Sequence, residues 1–159
     1  MVLFSYHTGP AFACYGESEG IIHAIDEDGR IIRKRYIFGQ EDQAEEKELG
    51  TCAADKLPAL RTALRDFLDA HSQLPQRLDN GTLSGTFHTF TILDKTVTAW
   101  NIQRIDLARV MQKNRQYYDR YAQNMICENA LLDLCAAIAA IIREDAPEMA
   151  KVLQKIAKA

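Results

Sequence analysis

The stretch "GIIHAIDEDGRIIRKRYIF" (Gly20–Phe38) constrains this chain more than any other. Two runs rich in β-branched residues flank "EDG", and Gly29 supplies the positive φ that a tight hairpin needs. In the second run Ile31, Arg33, Arg35 and Ile37 fall on one face, and Ile32, Lys34, Tyr36 and Phe38 on the other. Neither face is purely apolar. A hairpin of this kind belongs to an antiparallel sheet with solvent or a partner against part of it.

The flanking sequence adds further elements. "VLFSYH" (Val2–His7) reads as a strand, "TGP" as a turn and "AFACYG" as a strand that pairs back. A helix is expected from about Lys56 to His71, because Leu57, Leu60, Leu64, Phe67 and Leu68 recur at three- and four-residue spacing. Asp55 is its expected N-cap and Pro58 sits in the tolerant first turn. "LDNGTLSGTFHTFTIL" and "TVTAWNIQ" form a second hairpin through Asp94-Lys95, with Phe90 and Ile92 on one face and Phe87, Thr89 and Thr91 on the other. From Asp106 the pattern is helical, interrupted at Asn114 and restarted by Pro147. Strands, a helix, strands and then helices indicate one α+β domain over residues 1–159. Its expected form is an antiparallel sheet of two hairpins, one middle helix and a C-terminal helical pair.

Composition narrows the function classes. At 159 residues and 47% hydrophobic content the chain can bury a core, and a net charge of −3 gives no global reason to bind nucleic acid. "MVLFSY" has no signal-peptide pattern, and "ALLDLCAAIAAII" (Ala130–Ile142) is too short to span a bilayer, so a cytoplasmic protein without membrane partners is expected. Cys14, Cys52, Cys127 and Cys135 occur singly and read as reduced, mostly buried thiols. Asn80-Gly81-Thr82 matches a glycosylation acceptor, which carries little meaning in a chain read this way.

No catalytic, metal or cofactor motif is present in the sequence. His7, His23, His71 and His88 are scattered; a ribonuclease-like pair would need two imidazoles beside one phosphate. Asn124 and Glu128 share one helix face, where a buried carboxylate more often tethers backbone than acts as a base. Thr82, Ser84, Thr86, Thr89 and Thr91 read as strand and turn chemistry. In "QKNRQYYDRYAQN" the bases Lys113, Arg115 and Arg120 interleave with Tyr117, Tyr118 and Tyr121, a combination able to stack and pair with nucleic acid. The stronger reading continues those tyrosines along an apolar stripe to Met125, with the bases on its wet flank.

The charge is unevenly spread. Residues 1–50 carry 10 Asp/Glu against five Lys/Arg. "GQEDQAEEKELG" (Gly39–Gly50) holds Glu41, Asp42, Glu45, Glu46 and Glu48 around Lys47. By default such a run is a solvated connector, here irregular or half-helical. Because it follows the mixed-face hairpin, it is also a candidate docking edge that steers a basic protein. Asp26, Glu27 and Asp28 are secondary contact candidates, and Tyr36 and Phe38 are candidate anchors if exposed.

The segment "LDNGTLSGTFHTFTILDKTVTAWNIQ" (Leu78–Gln103), with the later "YYDRYAQNM", resembles small bacterial immunity proteins of polymorphic toxin systems, including contact-dependent growth inhibition. The resemblance implies a cytoplasmic inhibitor, monomeric or weakly self-associating, that binds a cognate toxin domain, often a nuclease. A basic nuclease surface would suit an acidic inhibitor. The alternatives are a small hydrolase or ribonuclease-like enzyme, and a structural or regulatory homo-oligomer joined through its C-terminal helices.

Overall fold

The computed structural model describes residues 1–78 and 85–159. Asn80-Gly81-Thr82, Thr82, Ser84 and the start of the expected second hairpin therefore lie outside the described residues.

The chain runs β1 (Val2–Pro10), β2 (Glu19–Asp26), β3 (Arg30–Ile37), β4 (Glu45–Thr51), α1 (Leu57–Ala70), β5 (Arg77–Leu78), β6 (Thr86–Ile92), β7 (Lys95–Trp100), α2 (Leu107–Lys113), α3 (Arg115–Ile142) and α4 (Pro147–Ala157). The fold is α+β. The strands form one seven-stranded sheet in the order β4-β3-β2-β1-β6-β7-β5. Every pairing is antiparallel except the short parallel contact of β5 with β7. The two hairpins are joined through β1, which pairs with both β2 and β6.

Several local expectations need correction. "TGP" does not turn the chain, because β1 continues to Pro10 and pairs there with Thr86; "AFACYG" is consequently a loop. The β6–β7 turn is Leu93-Asp94, one residue earlier than expected: Ile92 pairs with Lys95, and Leu93 itself takes φ 53°. Asp55 does not cap α1. The chain is already wound at that point, with Ala53 O accepting the amides of Lys56 and Leu57. Gly29, by contrast, has φ 86° in the β2–β3 turn, as its position requires.

One face of the sheet is covered by helices. Phe4, Tyr6, Ile25, Ile31, Phe90, Ile92, Val97 and Ala99 point to that side. They share a core with Leu60, Leu64 and Phe67 of α1 and with Leu131, Leu132, Cys135, Ile138 and Ile142 of α3. α4 adds Met149, Ala150, Leu153 and Ile156. Each fully buried Leu, Ile or Phe contributes about 1.5–3 kcal/mol, so this layer dominates stability. α3 is long and apolar enough to cross a membrane, longer than the Ala130–Ile142 run suggests, yet its central side chains are core rather than lipid-facing.

The edge strand β4 is tied to this layer at Gly50. A Cβ there would collide with the Asp145 carbonyl between α3 and α4. The Asp145 carboxylate also accepts from Ala53 N at 2.9 Å and Lys56 Nζ at 3.4 Å, and the backbone hydrogen bond from Ala53 lowers its pKa. These contacts hold the chain between β4 and α1 against the helical layer.

Candidate functional site

The acidic run is not an irregular connector. Glu41–Gln43 form one turn of 3-10 helix, and Glu45–Thr51 form β4, the outer strand of the sheet. "EEKELGT" has poor intrinsic strand propensity. It becomes a strand because β3 offers an unpaired edge with a basic row opposite it. Lys34 lies opposite Glu46, Arg33 opposite Lys47 and Ile32 opposite Glu48. Arg30 contacts Glu46 at 3.2 Å and Glu48 at 3.4 Å, and Lys34 Nζ lies 3.7 Å from Glu46. On the other face Arg33 and Lys47 converge on Glu148 of α4, at 2.9 and 3.9 Å.

This pairing divides the five acids into two groups. Glu46 and Glu48 are neutralised across the strand pair. Glu41, Asp42 and Glu45 are exposed and make no ion pair among the described residues, although Glu41 Oε1 accepts Gly39 N at 3.2 Å. Glu45 lines a cleft of about 300 Å³ together with Glu19, Arg35, Tyr36, Ile37, Gln40 and Gln43, and pairs in register with Arg35 of β3; Glu41 and Asp42 fall between the two glutamines in the chain. The cleft rim presents the Glu45 carboxylate and two side-chain amides; Arg35 is held to Glu19 at 3.6 Å. Such a lining accepts hydrogen bonds from a lysine or arginine.

The second feature is the sheet face away from the helices. The register places Ser5, His7 and Gly9 of β1, Ile22 and Ala24 of β2, Lys34 and Tyr36 of β3, and Phe87, Thr89 and Thr91 of β6 on that side. None of these joins the hydrophobic core. In its place stands a small aromatic cluster. His7 Nε2 and Tyr36 Oη share a 2.5 Å hydrogen bond, His7 meets Phe87 edge-on at 5.0 Å, and Phe38 lies 5.2 Å from Tyr36 and 6.4 Å from Phe87. Two glycines form its floor. A Cβ on Gly20 would overlap the Tyr36 ring, and one on Gly9 would come within 2.9 Å of Phe87. Burial lowers the His7 pKa and raises that of Tyr36, which keeps the pair neutral. Farther along, Arg77 lies 4.5 Å over the Trp100 ring, and Thr89 bonds Thr98 at 2.8 Å.

Tyr36 is thus a poor anchor, at 8% exposure, whereas Phe38 and Phe87 are half-buried and reachable. Phe87 and His7 are cluster members that sequence reasoning did not select. The alternation Phe87-Thr89-Thr91 signalled their face, but only the β1–β6 pairing brings them to Tyr36.

Asp26, Glu27 and Asp28 do not join this surface. They lie at the opposite end of β3, roughly 23 Å away along eight extended residues. Asp26 Oδ1 accepts the Asp28 and Arg30 amides, and Glu27 binds the N-terminal amine at 3.0 Å, so two of the three acids serve the turn and the terminus.

The structure does not assemble a ribonuclease-like pair. His7 faces away from the helices, while His23 and His88 face them, separated from each other by β1 and a two-residue stagger and so by about 12 Å. His88 Nδ1 is hydrogen-bonded to Tyr6 Oη at 2.6 Å, and His71 Nδ1 lies 3.8 Å from Cys127 Sγ. Glu128 is buried in α3, at 1% exposure. No group of three metal-ligating side chains occurs among the described residues. Cys52, Cys127 and Cys135 are buried free thiols and Cys14 is exposed.

The tyrosines after Asn114 do not enter the core either. No residue from Gln103 to Asn124 is buried; burial of α3 begins at Met125. Asn114 caps α3 by accepting Tyr117 N at 3.0 Å, which ends α2 and starts α3 one residue apart.

No protein-family description matches the chain, and no curated protein matches it.

Proposed function

We propose that this is a non-enzymatic binding protein: a cytoplasmic immunity protein that neutralises a cognate toxin domain, the partner class its resemblance implies. The observation that carries the reading is the exposed acidic group Glu41, Asp42 and Glu45, which makes no ion pair among the described residues, beside the cleft that Glu45 lines at the Tyr36–Phe38 end of β3. A basic side chain of the toxin would enter the cleft, and the free acids would speed encounter. Phe38 and Phe87, on the adjoining uncovered sheet face, supply the apolar contact that tight inhibition needs beside charge. Glu46 and Glu48 hold the edge strand in place rather than steer. The separation of the imidazoles counts against a ribonuclease-like pair as the alternative.

The test is titration of the purified protein against candidate toxin domains taken from its gene neighbourhood. A stoichiometric complex that abolishes toxin activity and forms more slowly as salt rises supports the reading. Absence of a complex at micromolar concentrations overturns it.

A further inference from the structure

We infer that the helical elbow formed by α2 and the first turns of α3 is a binding site for single-stranded nucleic acid. This inference is independent of the toxin-binding reading. Three observations carry it. First, residues 104–120 hold five Lys/Arg against two Asp/Glu, in a chain that has 19 against 22 overall. The segment is a positive island on an otherwise negative molecule.

Second, the intramolecular pairing leaves three of those cations available. Arg104 contacts Asp133 and Arg115 contacts Asp119, each at 2.9 Å. Arg109, Lys113 and Arg120 are exposed and have no acidic partner among the described residues. Arg109 and Lys113 stand four residues apart on α2 and so lie on one helical face.

Third, the aromatic residues beside them are at the surface. Tyr117 is 37% exposed, and Tyr118 and Tyr121 are half-exposed. Tyr117 and Tyr121 lie 4.7 Å apart, one helical turn from each other, and Arg120 sits 5.4 Å over the Tyr121 ring. A row of rings outside the core, bordered by guanidinium and ammonium groups without acidic partners among the described residues, offers base stacking and phosphate pairing together. A membrane surface would take the cations and could seat tyrosines among its headgroups, so vesicles are one arm of the test below. An unpaired polynucleotide uses both features at once, phosphates on the cations and bases on the adjacent rings of Tyr117 and Tyr121.

The experiment is fluorescence anisotropy of the intact protein with labelled 20-nucleotide single-stranded RNA and DNA, a duplex control and anionic vesicles. Binding to single strands is expected at low salt, with log Kd against log salt of slope about 2 for three phosphate contacts. The triple variant Arg109→Gln/Lys113→Gln/Arg120→Gln should lose that binding, and Tyr117→Leu should weaken it by about tenfold through lost stacking. Circular dichroism and toxin binding should stay unchanged in both, since these side chains are at the surface and away from the acidic cleft. No binding to either single strand overturns the inference. Equal binding by the triple variant, equal affinity for duplex, or binding to vesicles alone does so too.

Discussion

Substituting His88 tests how the helix-covered face responds to acid. Its imidazole sits half-buried between strands, bonded to Tyr6 Oη at 2.6 Å and stacked on that ring at 5.8 Å. Burial holds its pKa down at about 4, against an ordinary 6.5. Burial likewise raises Tyr6 to about 12, so Tyr6 keeps its proton and shares the hydrogen bond with a neutral imidazole, whose tautomer sets its direction. Because the folded value is depressed, the stability linked to neutral His88 is fully present above pH 6.5 and is lost as pH falls towards 4. Between pH 7 and pH 4.5 that loss comes to about 2.5 kcal/mol. Carboxylates and the other histidines also titrate there, so the informative quantity is a difference between proteins. Urea unfolding of the native chain and of His88→Gln at both pH values isolates it. The variant starts less stable at pH 7, and its loss on acidification should be about 2.5 kcal/mol smaller. Equal losses in the two proteins, or a His88 midpoint near 6.5 in a nuclear magnetic resonance titration, would refute the reasoning.

Three other outcomes follow from the same geometry. Gly50→Ala drives a methyl group into the Asp145 carbonyl and should cost about 1–3 kcal/mol in urea unfolding, with β4 showing the greatest gain in amide exchange. Asn114→Ala removes the acceptor for Tyr117 N and should cost about 1 kcal/mol, with fraying confined to the first turn of α3. Neutralising Glu41, Asp42 and Glu45 together should slow association with a basic partner about tenfold at 0.1 M salt, taking nine pairings with three partner cations at about 10 Å. Neutralising Glu46 and Glu48 should leave the on-rate nearer its starting value and loosen β4 instead, because those acids face Arg30 and Lys34.

The parts of the fold legible in the sequence were those where a periodic pattern and a turn residue agreed. Gly29 between two β-branched runs, the Leu60–Leu64–Phe67 stripe and Pro147 at the start of α4 each carry their signal within a few residues. The edge strand β4 was not legible, because its seven residues hold few strand formers and depend on the basic row of β3, whose position is a tertiary fact. The candidate site shows the same division. Composition identified the acidic run, but only cross-strand pairing separates the neutralised Glu46 and Glu48 from Glu41, Asp42 and Glu45. Phe38 was visible in the alternation of β3. Its neighbours His7 and Phe87 come from β1 and β6, about half the chain apart in sequence, and no local pattern links them.

The measurement that bears most directly on the central proposal is the amide hydrogen-exchange footprint of this chain mixed with candidate toxin domains taken from its gene neighbourhood. Protection is expected over residues 36–48 and at Phe87, with no change on the outer surfaces of α1 and α4. Protection confined to those helices, with residues 36–48 exchanging as in the free protein, would contradict the proposal.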